Sequence, residues 1–87
     1  MNTEYLRNKP KQMRSKLMFD NILVASTRVL EEVSFEKFTT NRVAEAAGIS
    51  IGSLYQYFPN KQSILIELER IAIDKMTENI EILLFEE

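Results

Sequence analysis

One stretch, TTNRVAEAAGISIGSLYQYFPNK over residues 39–61, constrains the fold more than any other part of the chain. Thr39 or Thr40 can supply a hydroxyl that caps a short helix, because such side chains accept hydrogen bonds from the free amides at a helix start. The helix over residues 41–47 has an apolar face of small residues, which lets a second helix approach closely. Gly48 is predicted to end this helix, because glycine adopts the left-handed conformation at little cost.

A second short helix is predicted directly after that glycine. Ser50 can cap it and Pro59 prevents it from continuing, so the helix is expected to cover Ile51–Phe58. Leu54 and Phe58 lie four residues apart and are expected to face the core. Two short helices joined by a tight turn are typical of a helix-turn-helix motif, whose second helix enters the major groove of DNA.

A longer helix is predicted before this motif. Apolar residues recur with a helical period over residues 13–33, which indicates a first helix beginning at Met13. In the link that follows, Phe35 and Phe38 are both predicted to plug the core.

A fourth helix is predicted to begin near Asn60 and to carry a sustained apolar stripe. The stripe comprises Leu65, Leu68, Ala72, Met76, Ile80 and Leu83. The fold class is therefore expected to be all-α, with a three-helix, homeodomain-like helix-turn-helix head and a long fourth helix.

Charge is distributed unevenly along the chain. The net charge is −2, which is unusual for a protein that binds DNA. Residues 1–64, however, carry nine Lys and Arg against six Asp and Glu, whereas residues 65–87 carry two against seven. Residues 5–16 alone hold five basic residues and no acidic one. The basic charge thus lies where a phosphate backbone would be met.

The composition argues against catalysis, metal binding and membrane insertion. The chain contains neither cysteine nor histidine, and so lacks thiolate nucleophiles and the commonest metal ligand and general base. We therefore expect neither an enzyme nor a protein with a metal or another cofactor. No segment approaches the roughly 20 apolar residues of a membrane span, and the polar N-terminus is no signal peptide. A cytoplasmic location is expected.

A string of residues at fixed spacing carries a family resemblance. The string comprises Thr39-Thr40, Val43-Ala44, Ala47-Gly48-Ile49-Ser50, Gly52-Ser53-Leu54-Tyr55-Gln56-Tyr57-Phe58 and Lys61. With its flanking helices, from about Arg14 to Glu69, it closely resembles the DNA-binding head of TetR-type (tetracycline-repressor-like) bacterial transcriptional regulators. Two residues depart from the family's pattern. Ser34 replaces the glycine that usually ends the first helix, where a left-handed angle costs serine more, and Ile51 replaces a frequent lysine.

The composition and the resemblance together indicate an organisation in three parts. Residues 1–12 are polar, basic and interrupted by Pro10, so they are predicted to form a flexible basic arm, which is either a solvated tail or an arm that tracks phosphates or a minor groove. By resemblance, residues 13–62 form the helix-turn-helix DNA-binding domain and residues 63–87 form a connector helix. The connector leads toward an effector-binding and dimerisation domain that this sequence lacks. The implied function is sequence-specific binding to double-stranded DNA, usually as a repressor, by a homodimer on a pseudo-palindromic operator. Dimerisation by this chain alone is expected to be weak or absent, and the small-molecule effector site lies elsewhere.

The candidate DNA-binding residues lie on the two short helices and at the start of the fourth. By resemblance, base edges are met at Ile51, Gly52 and Tyr55, with Ser53 and Gln56 as additional positions. Thr40, Tyr57 and Lys61 are expected to contact phosphates. Asn41 and Arg42 could contact either a phosphate or a base edge.

Five of these assignments have a structural alternative. Thr40 could be only the helix cap, and the two tyrosine rings, Tyr55 and Tyr57, could be half-buried packing groups. Arg42 could pair with Glu45, and Lys61 could be an ordinary solvated lysine. The alternative function is a helical protein-interaction module on a helix-turn-helix scaffold that does not bind DNA. Salt-dependent binding to duplex DNA separates the two functions.

Overall fold

The computed structural model describes the backbone of residues 3–85 and the side chains of residues 12–80 and Leu84. Over these residues the chain contains four α-helices, one short 3₁₀ helix and no strand. The helices are α1 (Thr3–Glu32), the 3₁₀ helix (Phe35–Lys37), α2 (Thr40–Ala47), α3 (Ile51–Tyr55) and α4 (Lys61–Phe85). The predicted all-α fold, a helix-turn-helix head followed by a long helix, is confirmed. None of the helices in this described part is long and apolar enough to cross a membrane.

The core of the head lies where α1, α2, α3 and the start of α4 meet. Its buried apolar residues are Ile22, Leu23, Ala25, Val29, Phe38, Val43, Ala44, Leu54, Phe58 and Ile64. The predicted burial of Leu54 and Phe58 is confirmed, and the Phe58 ring stacks on Phe19 with 5.0 Å between ring centroids. Buried Ser26 is satisfied because its hydroxyl donates to the Ile22 carbonyl at 2.7 Å. The stacked rings and buried aliphatic groups fix the orientation of the short helices against α1.

The helix α1 begins at Thr3, so the predicted start at Met13 is wrong. Residues 3–12, expected to form a flexible arm, continue the helix, and Pro10 lies within it. Proline costs a helix interior about 3 kcal/mol, which is why a proline in a polar, basic segment favours a flexible arm. The leucine, arginine, lysine and glutamine residues around it have high helix propensity and favour continuation. The side chains of residues 1–11 lie outside the described part, so their role remains a prediction.

The link after α1 differs from the prediction at two residues. Ser34 is extended, with φ −67° and ψ 158°, so it does not adopt the costly left-handed angle. Phe35 begins the 3₁₀ helix with 66 % of its surface exposed, so its predicted place in the core is wrong. Phe38, by contrast, is fully buried. It follows the end of the 3₁₀ helix in an extended conformation that turns its side chain inward.

The helix α4 begins as predicted after Asn60, whose side-chain oxygen accepts a hydrogen bond from the Ser63 amide at 2.8 Å. Its core-facing side, however, is centred on Ile64, which is fully buried and was missing from the predicted stripe. Leu68 and Ile71 continue this face as half-buried groups packed on the core. The later stripe residues with described side chains, Ala72, Met76 and Ile80, are exposed. Only the first turns of α4 pack against the head, so the apolar residues farther along this helix have nothing in the described part of the chain to cover them.

Candidate nucleic-acid interface

The start of α2 distinguishes the two threonines that could cap it. The Thr39 hydroxyl accepts a hydrogen bond from the Arg42 amide at 3.2 Å, and the Thr39 carbonyl accepts one from Val43 at 3.1 Å. Thr39 is therefore the cap, and Thr40 is the first residue of the helix. The alternative that Thr40 serves only as the cap is wrong, which leaves its hydroxyl available for another role.

The turn between the two short helices is built on Gly48. Its φ of +72° and ψ of 31° place it in the left-handed region, as predicted. The amide of Ile49 donates to the Ala44 carbonyl at 3.0 Å, which closes the end of α2. The side-chain amide of Asn21 donates to the Ala47 carbonyl at 3.1 Å. This bond attaches the turn to α1 and fixes where α3 begins.

The helix α3 is capped by Ser50, whose hydroxyl accepts a hydrogen bond from the Ser53 amide at 3.1 Å. The helix ends at Tyr55 rather than at the predicted Phe58. The amide of Tyr57 donates to the carbonyl of Leu54 at 2.9 Å, an i→i+3 bond that tightens the final turn. Tightening is expected there because Pro59 follows, which has no amide with which to extend an α-helix.

The predicted site residues divide into two groups by exposure. Asn41, Arg42, Gly52, Tyr55 and Gln56 are exposed, whereas Thr40, Ile51, Ser53, Tyr57 and Lys61 are half-buried. Ile51 and Tyr57 also pack partly against the core, so the packing alternative applies to a part of each side chain. Leu54 is fully buried on the opposite side of α3 and anchors it. The short helix thus holds its core-facing side fixed while it presents Gly52, Tyr55 and Gln56 to solvent.

Two of the candidate residues are joined directly. The hydroxyl oxygens of Thr40 and Tyr55 lie 3.0 Å apart and share a hydrogen bond. The bond links the first residue of α2 to the last residue of α3. Sequence reasoning assigned each residue separately and did not predict this contact, because the two lie 15 positions apart in the chain.

The basic side chains of the chain differ in their partners, and on α1 Lys16 pairs with Asp20 at 3.2 Å. Arg70 on α4 pairs with Glu67 and Asp74. The hydrogen bond from Arg70 holds the pKa of the Glu67 carboxyl below its usual value. Among the side chains that the structure describes, Arg42 and Lys61 take part in no ion pair, so the suggested pairing of Arg42 with Glu45 is absent. The charge of these two residues is therefore available to an external anion.

The sequence of the helix-turn-helix head matches a known family of bacterial proteins. Residues 22–68 match the family described as "Bacterial regulatory proteins, tetR family". The matched span begins with the buried part of α1, contains the whole helix-turn-helix motif and ends within α4. The family resemblance that the sequence carries is thereby confirmed.

Individual relatives are similar over 47 to 71 residues of this chain. The Fatty acid metabolism regulator protein of Bacillus subtilis is 34% identical over 71 residues, which are 82% of this chain and 36% of that protein. The HTH-type transcriptional regulator EthR of Mycolicibacterium smegmatis is 38% identical over 47 residues, 54% of this chain and 22% of the relative. Nucleoid occlusion factor SlmA of Haemophilus ducreyi is 36% identical over 70 residues, 79% of this chain and 35% of the relative.

The alignments thus span little more than a third of these relatives at most. The family match and the regulators among the relatives confirm the predicted function at the level of DNA-binding transcriptional regulation. The chain belongs to the tetR family of bacterial regulatory proteins.

Proposed function

We propose that this head binds double-stranded DNA sequence-specifically by placing α3 and its following turn, residues 51–58, in the major groove. The observation that carries the proposal is the division of α3 and its C-cap residue into a buried anchor, Leu54, and an exposed side with Gly52, Tyr55 and the C-cap Gln56. The five residues of α3 at a rise of about 1.5 Å each span about 7.5 Å, which is short enough for the helix to enter a groove about 12 Å wide. A segment of this length reaches only a few base pairs, so few side chains carry the specificity.

The residues of α3 have distinct proposed roles toward the bases. Gln56 is exposed and can make a paired hydrogen bond with adenine in the major groove. Ile51 is half-buried, and its exposed part can contact a thymine methyl group. Gly52 has no side chain, which allows the helix backbone to approach the base edges closely. Ser53 and Tyr55 complete the base-reading set.

The phosphate contacts are proposed to come from residues around α3. Thr40 and Tyr57 offer hydroxyl donors, and Lys61 and Arg42 offer charges that are not neutralised within the head. Asn41 follows Thr40 in the first turn of α2, where the helix dipole also favours an anion. Such contacts fix the orientation of the head on the duplex while the bases supply the sequence preference.

The other parts of the chain are proposed to serve a larger regulator. The basic residues of the 1–12 segment add phosphate contacts beside the helix-turn-helix domain of residues 13–62. The connector, residues 63–87, leads to an effector-binding and dimerisation domain. Support comes from the exposed apolar side chains of α4, since a sustained apolar surface is usually covered by a partner or a further domain. These exposed residues are Ile66, Ile73, Met76, Ile80 and Leu84.

In the complete regulator we propose a homodimer that represses transcription from a pseudo-palindromic operator in the cytoplasm. The effector ligand binds outside this chain, and we expect no catalytic activity from the head. Support for the homodimer comes from the small size of one head's reading surface, because two linked heads gain affinity through effective concentration.

Selection of bound sequences from a pool of random duplex DNA tests the proposal. The chain is expected to enrich one short motif, the length of a half-site, and Gln56→Ala is expected to relax one position of it. Glu69→Ala is a control, because Glu69 is exposed on α4 and lies outside residues 51–58. A pool that remains random, with no retention of duplex DNA, would support the protein-interaction alternative.

A further inference from the structure

The hydrogen bond between Thr40 and Tyr55 has a consequence for how the head contacts phosphate. Each hydroxyl has one O–H donor and two acceptor lone pairs. Because the oxygens lie 3.0 Å apart, one of the two donors is spent inside the protein, whichever residue donates it. Phosphate oxygens accept hydrogen bonds and donate none. The two residues together therefore retain a single donor for a phosphate.

We infer that Thr40 and Tyr55 act as one hydrogen-bonded unit that contacts a single DNA phosphate, rather than as two independent contacts. The inference rests on the proposed function and refines it: the Tyr55 ring still lies at the base edges, while its hydroxyl joins the phosphate contact made by Thr40. One of the two hydroxyls donates its hydrogen bond to the oxygen of the other. The hydroxyl that accepts this bond keeps its own O–H for the phosphate, and the accepted bond polarises that O–H. One residue of the pair is thus a positioning residue for the other.

The location of the pair explains why such positioning is useful. Tyr55 is the last residue of the five-residue α3 and is 48 % exposed, so packing alone restricts its ring only in part. Thr40 is half-buried at the start of α2 and has a branched side chain with few allowed rotamers. The bond transfers the rigidity of Thr40 to the tyrosine hydroxyl. Less side-chain freedom then remains to be lost when DNA binds.

A double-mutant cycle on DNA affinity tests the inference. Thr40→Val and Tyr55→Phe each remove a hydroxyl while they preserve the shape of the side chain. Each is expected to weaken binding by about tenfold or more, as for a lost hydrogen bond to a charged group. The double variant is expected to bind about as weakly as either single variant. Two independent contacts would instead multiply the losses to about a hundredfold.

Tyr57 offers a matched control close to the pair. Its hydroxyl shares no hydrogen bond with Thr40 among the side chains that the structure describes. Thr40→Val and Tyr57→Phe are therefore expected to give losses that multiply. Thr40→Ser retains the hydroxyl and is expected to keep most of the affinity. Thermal unfolding of the free variants checks that the fold is unchanged, and Thr40→Ala replaces Thr40→Val if the latter unfolds.

The outcomes separate the inference from the proposed function. Multiplying losses for Thr40 and Tyr55, or a serine variant as weak as the valine variant, would overturn the pair while DNA binding stands. A parent chain that binds no duplex DNA would remove the proposed function and the role of the pair together. Equal losses in the single and double variants, with multiplying losses in the Tyr57 control, are the expected result.

Discussion

Replacing each of the two glycines of the chain by alanine should change the melting temperature in opposite directions. Gly48 has φ +72°, and a Cβ added there would meet nothing within 4 Å, so the cost of a side chain is conformational and not steric. A left-handed angle costs an ordinary residue roughly 1–2 kcal/mol. For a domain of this size each kcal/mol lowers the melting temperature by about 4–8 °C. Gly48→Ala should therefore melt about 4–16 °C below the parent. Gly48→Val should lower the melting temperature further, because the valine side chain is β-branched.

Gly52 supplies the contrasting substitution. It lies inside α3 without a positive φ, and a Cβ there would come no closer than 4.0 Å to the Ser50 hydroxyl. Alanine in a helix is favoured over glycine by roughly 0.5–1 kcal/mol, so Gly52→Ala should raise the melting temperature by a few degrees. It should nevertheless weaken DNA binding, since the proposed close approach of the backbone leaves no room for a methyl group.

Thermal unfolding followed by far-ultraviolet circular dichroism measures both stability effects. Titration of labelled duplex DNA measures the loss of binding by the Gly52 variant. If Gly48→Ala melted with the parent, the left-handed turn that places α3 would be wrong. If Gly52→Ala were less stable than the parent, the account of α3 as a short helix with an open outer face would fail.

The remaining predictions address charge, base reading, packing and assembly. Lys61→Ala should weaken binding uniformly across DNA sequences and reduce the salt slope by about one ion, and an unchanged slope would remove Lys61 from the interface. Gln56→Ala should relax preference at one base position by about 1–3 kcal/mol in competition titrations, whereas a uniform loss would make it a backbone contact. Ile64→Ala should destabilise the chain by about 2–5 kcal/mol in urea unfolding, whereas Ile66→Ala should change it by less than about 0.5 kcal/mol. Equal losses of unfolding free energy in these two variants would contradict the face of α4 that is turned toward the core, since Ile64 is fully buried and Ile66 is 65 % exposed. Binding to paired half-sites should be weak and mostly independent, and sedimentation as a tight dimer or steep cooperative titration would show that α4 alone dimerises.

The features that could be predicted from the sequence are those set by local chemistry. Gly48 ends α2 in the left-handed conformation, and Ser50 and Asn60 cap the helices that follow them. Each of these signals depends on residues within one helical turn, so the turn of the motif was predictable. The assignment of Leu54 and Phe58 to the core followed from the same short spacing.

The features that could not be predicted depend on how helices meet. Ile64 and Leu65 are adjacent apolar residues that satisfy the helical period equally well. Packing in the core of the head decides that Ile64 is the one fully buried. Phe35 and Phe38 present the same ambiguity in the link, where backbone direction exposes one ring and buries the other. The hydrogen bond between Thr40 and Tyr55 requires the finished arrangement of α2 and α3, which no local pattern specifies.

The salt dependence of binding to a selected duplex, compared with a scrambled duplex of equal length, tests the central claim most directly. Between about 50 and 200 mM salt, log K should fall linearly with log salt concentration, by about 0.9 for each phosphate neutralised. Contacts by Arg42 and Lys61 alone give a slope of about −1.8, and basic residues of the N-terminal segment would make it steeper. The account predicts this slope together with tighter binding to the selected duplex. An affinity that does not change with salt, or is equal for the two duplexes, would contradict it.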